Sequence, residues 1–245
     1  IEGTYNIATA SNSHIEGTQN YIETTGVNSH VEGCSSYATN HDSHAEGHHT
    51  YSKGYASHSE GRDTIAANTA AHSEGGFTRA EGRYSHAEGE TTYALGSQAH
   101  AEGHQTYVVL NTFASHAEGN TTTVTGNYSH SEGAYTYVVS NAAHAEGLSN
   151  TVYGLAGHAE GAYNTSDSSS TYLHIEGVNN KIQGISTNNK SSHVEGESNT
   201  VNNSINSHTE GTANTVTAGS YTHIEGVQNT ITSSSYSHIE GKSNT

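Results

Sequence analysis

Small and polar residues alternate along this chain in a pattern that renews itself about every fourteen positions. Its clearest turn reads Ser85-His86-Ala87-Glu88-Gly89, two further residues, then Thr92-Tyr93-Ala94-Leu95-Gly96. Successive side chains on a strand point to opposite faces. Ser85, Ala87 and Gly89 therefore share one face, and Thr92, Ala94 and Gly96 share one face of the opposite strand. The same positions stay small in Ser43, Ala45 and Gly47 with Thr50 and Ser52, and in Ser129, Ser131 and Gly133 with Thr136 and Val138. The pattern predicts two short strands per repeat, closely packed through these small residues. Each strand is expected to end in a Gly able to take the positive φ of a tight corner. Two helices and a turn do not fit in fourteen residues, whereas two strands of about four or five residues and two turns do.

The alternation is pinned by a motif, H-x-E-G, with His at 14, 30, 44, 58, 72, 86, 100, 116, 130, 144, 158, 174, 193, 208, 223 and 238. Ile1-Glu2-Gly3 reads as a seventeenth copy with its His cut away, and with no Met in the chain the sequence is expected to be an excised or processed segment. Steps of 14 dominate from His30 to His158, steps of 16 begin at His14, His100 and His158, one of 19 begins at His174, and the last three are 15. A short fixed period over a whole chain predicts a solenoid in which each coil touches its neighbours. The expected fold is an all-β parallel β-roll of about 17 coils with 14–16 residues each. It forms one repeat domain over 1–245, mostly 14-residue coils through 173 and wider 15-residue coils of the same roll over 174–245.

Two finer expectations follow. The third residue after the motif Gly is Asn, Thr or Ser in all 17 units. It has the parity of the interior, so these side chains are expected to stack as an internal polar ladder. Large inner residues tend to go with longer coils: Ile175, Val194 and Ile224 sit in coils of 19, 15 and 15, whereas Ala45, Ser59, Ser73 and Ala87 sit in coils of 14, with Val31 (14) and Ala101 (16) as exceptions. The extra residues of the 16- and 19-residue coils are expected to bulge outward as loops.

Composition sharpens this picture. Only 30% of the 245 residues are hydrophobic, with 27 Gly and no Pro, Met or Trp, too little to fill a thick core. A thin roll needs no more. No apolar run is long enough for a membrane-spanning helix, and a net charge of −17 argues against nucleic-acid partners. The single thiol, Cys34, has no internal disulfide partner.

With the small residues inside, His and Glu of each motif point outward as adjacent columns. The ladder comprises His44, Glu46, His58, Glu60, His72, Glu74, His86, Glu88, His100, Glu102, His116, Glu118, His130, Glu132, His144, Glu146, His158 and Glu160. The second outward face varies, with Tyr51 and Lys53, Ile65 and Ala67, Arg79 and Glu81, Tyr107 and Val109. A face of constant chemistry is expected to meet one repeated environment, namely copies of the same chain, with His of one chain pairing with Glu of the next. A bare column of like charges would repel. Protonation of the 16 motif His would take the charge from −17 to −17 + 16 = −1.

Other chemistries fit less well. His and carboxylate at i and i+2 share a face and both ligate metals, so metal occupancy stays open, but the motif lacks the closed four-ligand grouping of structural zinc. No cofactor is expected. Asp42, Asp63 and Asp167 are the only Asp and stand at unrelated coil positions. With no nucleophile elbow or phosphate-binding loop, an enzyme is not expected. Ice binding requires a regular outward Thr array, which is absent. Tyr37, Tyr51, Tyr93, Tyr107 and Tyr137 could form a stripe that contacts a ligand, or reflect strand propensity on an exposed sheet.

The recurrent string S-H-A-E-G followed by T-x-A-x-G resembles the head repeats of YadA-type trimeric autotransporter adhesins, over nearly the whole chain. His and Glu stand where that family carries aliphatic residues. Similar repeats also resemble those of phage tail fibres and surface fibres. The resemblance implies a left-handed parallel β-roll, a homotrimer, and a structural or adhesive fibre segment outside the cell, on a cell surface or on a virion. A host-surface protein or carbohydrate would be its ligand, and a metal- or carbohydrate-binding tail-fibre segment is the alternative.

Overall fold

The computed structural model describes residues 1–184 and 191–245. It is an all-β solenoid of parallel strands, and among the described residues no helix is present, hence none long and apolar enough to cross a membrane. The chain divides into two compact units, Ile1–Thr121 and Thr122–Thr245. Each is a stack of eight described coils.

In the first unit the long strands run from His14–Thr18 to His116–Asn120, and the short ones from Ile7–Ala8 to Tyr107–Val108. In the second they run from His130–Ala134 to His238–Lys242, and from Thr123–Val124 to Thr230–Thr232. Long strands pair only with long strands and short with short, giving two parallel sheets. Register is held by the motif: His72 lies beside His86 and His86 beside His100, with Ala87 beside Ala101. Ile1-Glu2-Gly3 makes no named strand, yet the Glu2 amide donates to the Ile15 carbonyl at 2.8 Å and that of Thr4 to Gly17 at 3.0 Å.

The two strands of a coil are unequal. The long strand usually spans five residues and the short one two or three, which corrects the expectation of two similar strands. The interior is as the alternation predicts: Ala87, Thr92 and Ala94 are fully buried, with Ser85 almost so.

The motif Gly has a different role from the one expected. Gly89 has φ +110°, but it sits fourth in the strand His86–Glu90, not at a corner. A Cβ there would lie 2.1 Å from the Gly103 carbonyl oxygen of the next coil. The Gly is needed because adjacent backbones approach too closely for any side chain. The corners are instead turned by non-Gly residues in the left-handed region, such as Thr91 (φ 58°) and Gln98 (φ 55°). Their amides donate to the preceding coil, Thr91 to Gly76 and Gln98 to Arg83, both at 2.8 Å. Left-handed residues cost roughly 1–2 kcal/mol each, and these cross-coil hydrogen bonds offset that strain.

Two large inner residues, one from each strand, always occupy a coil longer than 14 residues, although the coils of Ala101 with Val108 and of Ala159 with Ser166 also reach 16. Ile15 with Ile22 occupies a 16-residue coil, Ile175 with Ile182 the 19-residue coil, and Val194 with Val201 and Ile224 with Ile231 occupy 15-residue coils, all essentially buried. A single large residue fits a 14-residue coil, as Val124, Val138 and Val152 do opposite Ala117, Ser131 and Ala145. Two β-branched residues need a wider cross-section. In the 15-residue coils the short strand lengthens to three residues and a second left-handed residue enters that corner, as at Ala218 beside Tyr221. The 16-residue coil after His100 bulges at Leu110–Phe113, with Leu110 61% exposed. The extra residues of the 19-residue coil fall within 185–190, outside the described residues.

The polar ladder forms where the position is Asn, most regularly in the second unit, whereas the Thr50, Thr92, Thr106 and Thr122 hydroxyls are buried without a partner, which corrects the expectation of one ladder through every coil. Asn199 Nδ2 donates to the carbonyls of Glu195 and Gly211, both at 2.8 Å. Its Oδ1 accepts the Asn214 amide at 2.9 Å. Asn164, Asn180, Asn214 and Asn229 repeat the arrangement, so each side chain ties its own coil to the next.

Candidate functional site

The five-residue strand puts motif His and Glu two positions apart on one outward face, and parallel in-register pairing stacks each type on itself. In the first unit the rings of His44 and His58 lie 4.6 Å apart at 4°, His58 and His72 4.8 Å at 5°, and His72 and His86 4.7 Å at 23°. His86 and His100 follow at 4.9 Å, and His100 and His116 at 4.6 Å. In the second unit His130 and His144 are 4.7 Å apart, His144 and His158 4.8 Å. The strand spacing sets this separation.

Each imidazole also lies beside the carboxylate of its own coil. The Nε2–Oε2 distance is 3.8 Å in His44–Glu46, 3.9 Å in His58–Glu60, 3.8 Å in His72–Glu74 and 3.6 Å in both His86–Glu88 and His100–Glu102. It is 3.7 Å in His116–Glu118, 3.8 Å in His130–Glu132 and 3.4 Å in His144–Glu146. These are side-by-side contacts: Nε2 of His44, His58, His72, His86, His100, His144 and His158 is buried and has no hydrogen-bond partner. His158 and Glu160 continue the two columns beside His174 and Glu176.

The electrostatics differ from a ladder of protonated pairs. Burial pushes the His58 imidazole down to about 4, helped by the positive charge that His44 and His72 would carry, and Glu46 opposes this only in part. His44, His86, His144 and His193 are lowered for the same first reason, burial, and then by neighbouring His. These five imidazoles favour the neutral form, so they do not offset the carboxylates beside them within one chain.

The five tyrosines do not make one stripe. Tyr37 and Tyr51 stack at 4.9 Å and 2°, and Tyr93 and Tyr107 at 4.9 Å and 8°. Between these pairs the same column holds Ile65 and Arg79. Tyr137 meets Tyr153 edge-on at 6.1 Å. A second aromatic set escaped the sequence reading: Tyr84, Tyr163, Tyr172 and Tyr221 occupy left-handed corners and are more than half exposed. Its signal lay in the register, since these residues directly precede a buried Ser, Asn, Leu or Thr at a corner.

Asp42 and Asp63 stand at left-handed corners, with Asp63 3.3 Å from His49 Nδ1. Asp167 instead accepts hydrogen bonds from the Ser169 and Ser170 hydroxyls at 2.8 and 2.7 Å. The three are not brought together. Groups able to hold a metal occur within the ladder of the second unit, where His144, Glu146 and His158 offer ligand atoms within 4.8 Å of one another. No family model matches the sequence, and no curated protein matches it.

Proposed function

We propose that this chain is a structural and adhesive segment of a fibre on a cell or virion surface, self-associating as a homotrimer through its His/Glu face. The observation that carries the reading is the contrast between the two outward faces. One repeats His and Glu through successive coils and leaves buried imidazole nitrogens without hydrogen-bond partners. The other changes from coil to coil. The Nε2 atoms are already covered within one chain, so pairing between copies uses the part-exposed rest of the ring and the Glu carboxylates, an imidazole Nδ1–H of one chain donating to a carboxylate of the next.

The varied face and the exposed corner tyrosines suit contact with a host-surface protein or carbohydrate, aromatic rings offering stacking area at low entropic cost. The role is display and attachment rather than catalysis. Sedimentation equilibrium tests the assembly: a trimer is expected, weakened in the combined variant Glu88→Ala, Glu102→Ala, Glu118→Ala and by acid that protonates the carboxylates. A monomer at all concentrations contradicts it, and a trimer indifferent to both changes rules out His–Glu pairing.

A further inference from the structure

We propose that His144, Glu146 and His158 form a site for a single borderline divalent transition ion, of which Zn2+ is the representative. Their ligand atoms lie within 4.8 Å of one another and all three side chains are half-buried. The Glu146 carboxylate is 3.4 Å from His144 Nε2, the shortest His–Glu contact of the ladder. Ligands about 2.0–2.1 Å from a tetrahedral ion stand roughly 3.3–3.4 Å apart. That edge of the site therefore already has the required length. The third ligand comes from the next coil, where the His158 ring stacks on His144 at 4.8 Å and 8°. Binding requires the two rings to rotate out of their parallel stack until both Nε2 lone pairs point at the ion. Neither His144 nor His158 has a hydrogen bond at Nε2 to give up.

The donor set chooses the ion. Two imidazole nitrogens and one carboxylate suit zinc, copper or nickel, whereas calcium and magnesium require oxygen shells. Three protein ligands leave a fourth position for water. A neutral imidazole with its proton on Nδ1 has one lone pair at Nε2. His144 is also shared with a preceding triad, His130, Glu132 and His144, so it can serve an ion in only one of the two. The Glu146 triad is favoured because its His–carboxylate distance is 3.4 Å against 3.8 Å for His130–Glu132. Glu132 is also the more exposed of the two carboxylates, at 51% against 36%. An ion held from two coils would clamp them together and raise the thermal midpoint with the logarithm of free ion once this exceeds the dissociation constant.

The experiment uses the whole chain, stripped with chelator, dialysed against Zn2+ in excess Mg2+ and Ca2+, and read by elemental analysis and by thermal melting. The wild type is expected to retain zinc and melt higher with it. His144→Ala and Glu146→Gln, each shown folded by circular dichroism, are expected to lose the tightest-bound ion and the zinc-dependent rise, while His86→Ala and Glu132→Gln keep both. Zinc uptake no greater than in the chelated sample overturns the proposal. Equal loss in His86→Ala overturns it as generic binding to a histidine-rich surface, and loss in Glu132→Gln with retention in Glu146→Gln overturns it in favour of the preceding triad.

Discussion

Ser59 Oγ and Thr64 Oγ1 lie 2.8 Å apart inside their coil, each hydroxyl the other's partner. Ser73 with Thr78 and Ser131 with Thr136 repeat the pair at 2.7 Å. Where alanine replaces the serine, in Ala45, Ala87 and Ala101, the threonine hydroxyls of Thr50, Thr92 and Thr106 are buried without a partner. Ala87→Ser is therefore expected to stabilise the protein by about 1 kcal/mol, the net worth of a buried hydrogen bond. Denaturant unfolding checks it, and a lower midpoint contradicts it.

Gly89→Ala is expected to destabilise by about 3 kcal/mol or more, through a positive-φ penalty together with a backbone collision. The added Cβ would lie 2.1 Å from the Gly103 oxygen. Gly76→Ala, where a Cβ meets nothing within 4 Å, is the control and should unfold near the wild-type midpoint.

Asn199→Ala removes the donor to Glu195 and Gly211 and the acceptor for Asn214. Leaving these backbone groups buried and unpaired costs about 1–3 kcal/mol each where water does not reach them. Amide hydrogen exchange should quicken at Asn214 before it does at Asn164, two Asn rungs away. Uniform exchange across both would show that the ladder is not local support.

Stability should fall in mild acid. His58 titrates at about 4 when folded and near 6.5 when unfolded, so between those values the unfolded chain holds the extra proton. Stability then rises with pH across this window, is fully present above about 6.5 and is lost as pH falls toward 4. The lowered His44, His86, His144 and His193 add to the same slope. Glu46 and Glu60, on the same face, moderate it. A thermal midpoint measured at pH 7.5 and 4.5 should drop, and His58→Gln should shrink the drop. A midpoint that holds or rises toward acid would refute the burial of neutral imidazole.

The parity of Ser85, Ala87 and Gly89 was enough to place them inside, because strand side chains alternate whatever the surroundings. The period assigned the register, and a motif recurring in register obliged His to stack on His. The position of Asn199 in the ladder was likewise legible from its offset after Gly196. The role of Gly89 was not. Positive φ at a corner and close approach within a strand both call for glycine, and only the Gly103 carbonyl overhead tells them apart.

Sequence by itself thus determined the alternation, the coil and the columns, because each depends on local geometry repeated many times. Tertiary structure alone decided that buried imidazoles such as His58 have a lowered pKa. Seventeen motif glutamates beside 16 histidines suggest a self-neutralising surface. Stacked rings instead shed water and face one another's charge, so His58 stays neutral despite Glu46. It also decided which coil lengths are allowed. Ile224 and Ile231 must share one cross-section, and two β-branched side chains do not fit where Ala87 and Ala94 do. Such constraints act between residues distant in the chain, where periodicity is silent and volume and dielectric govern.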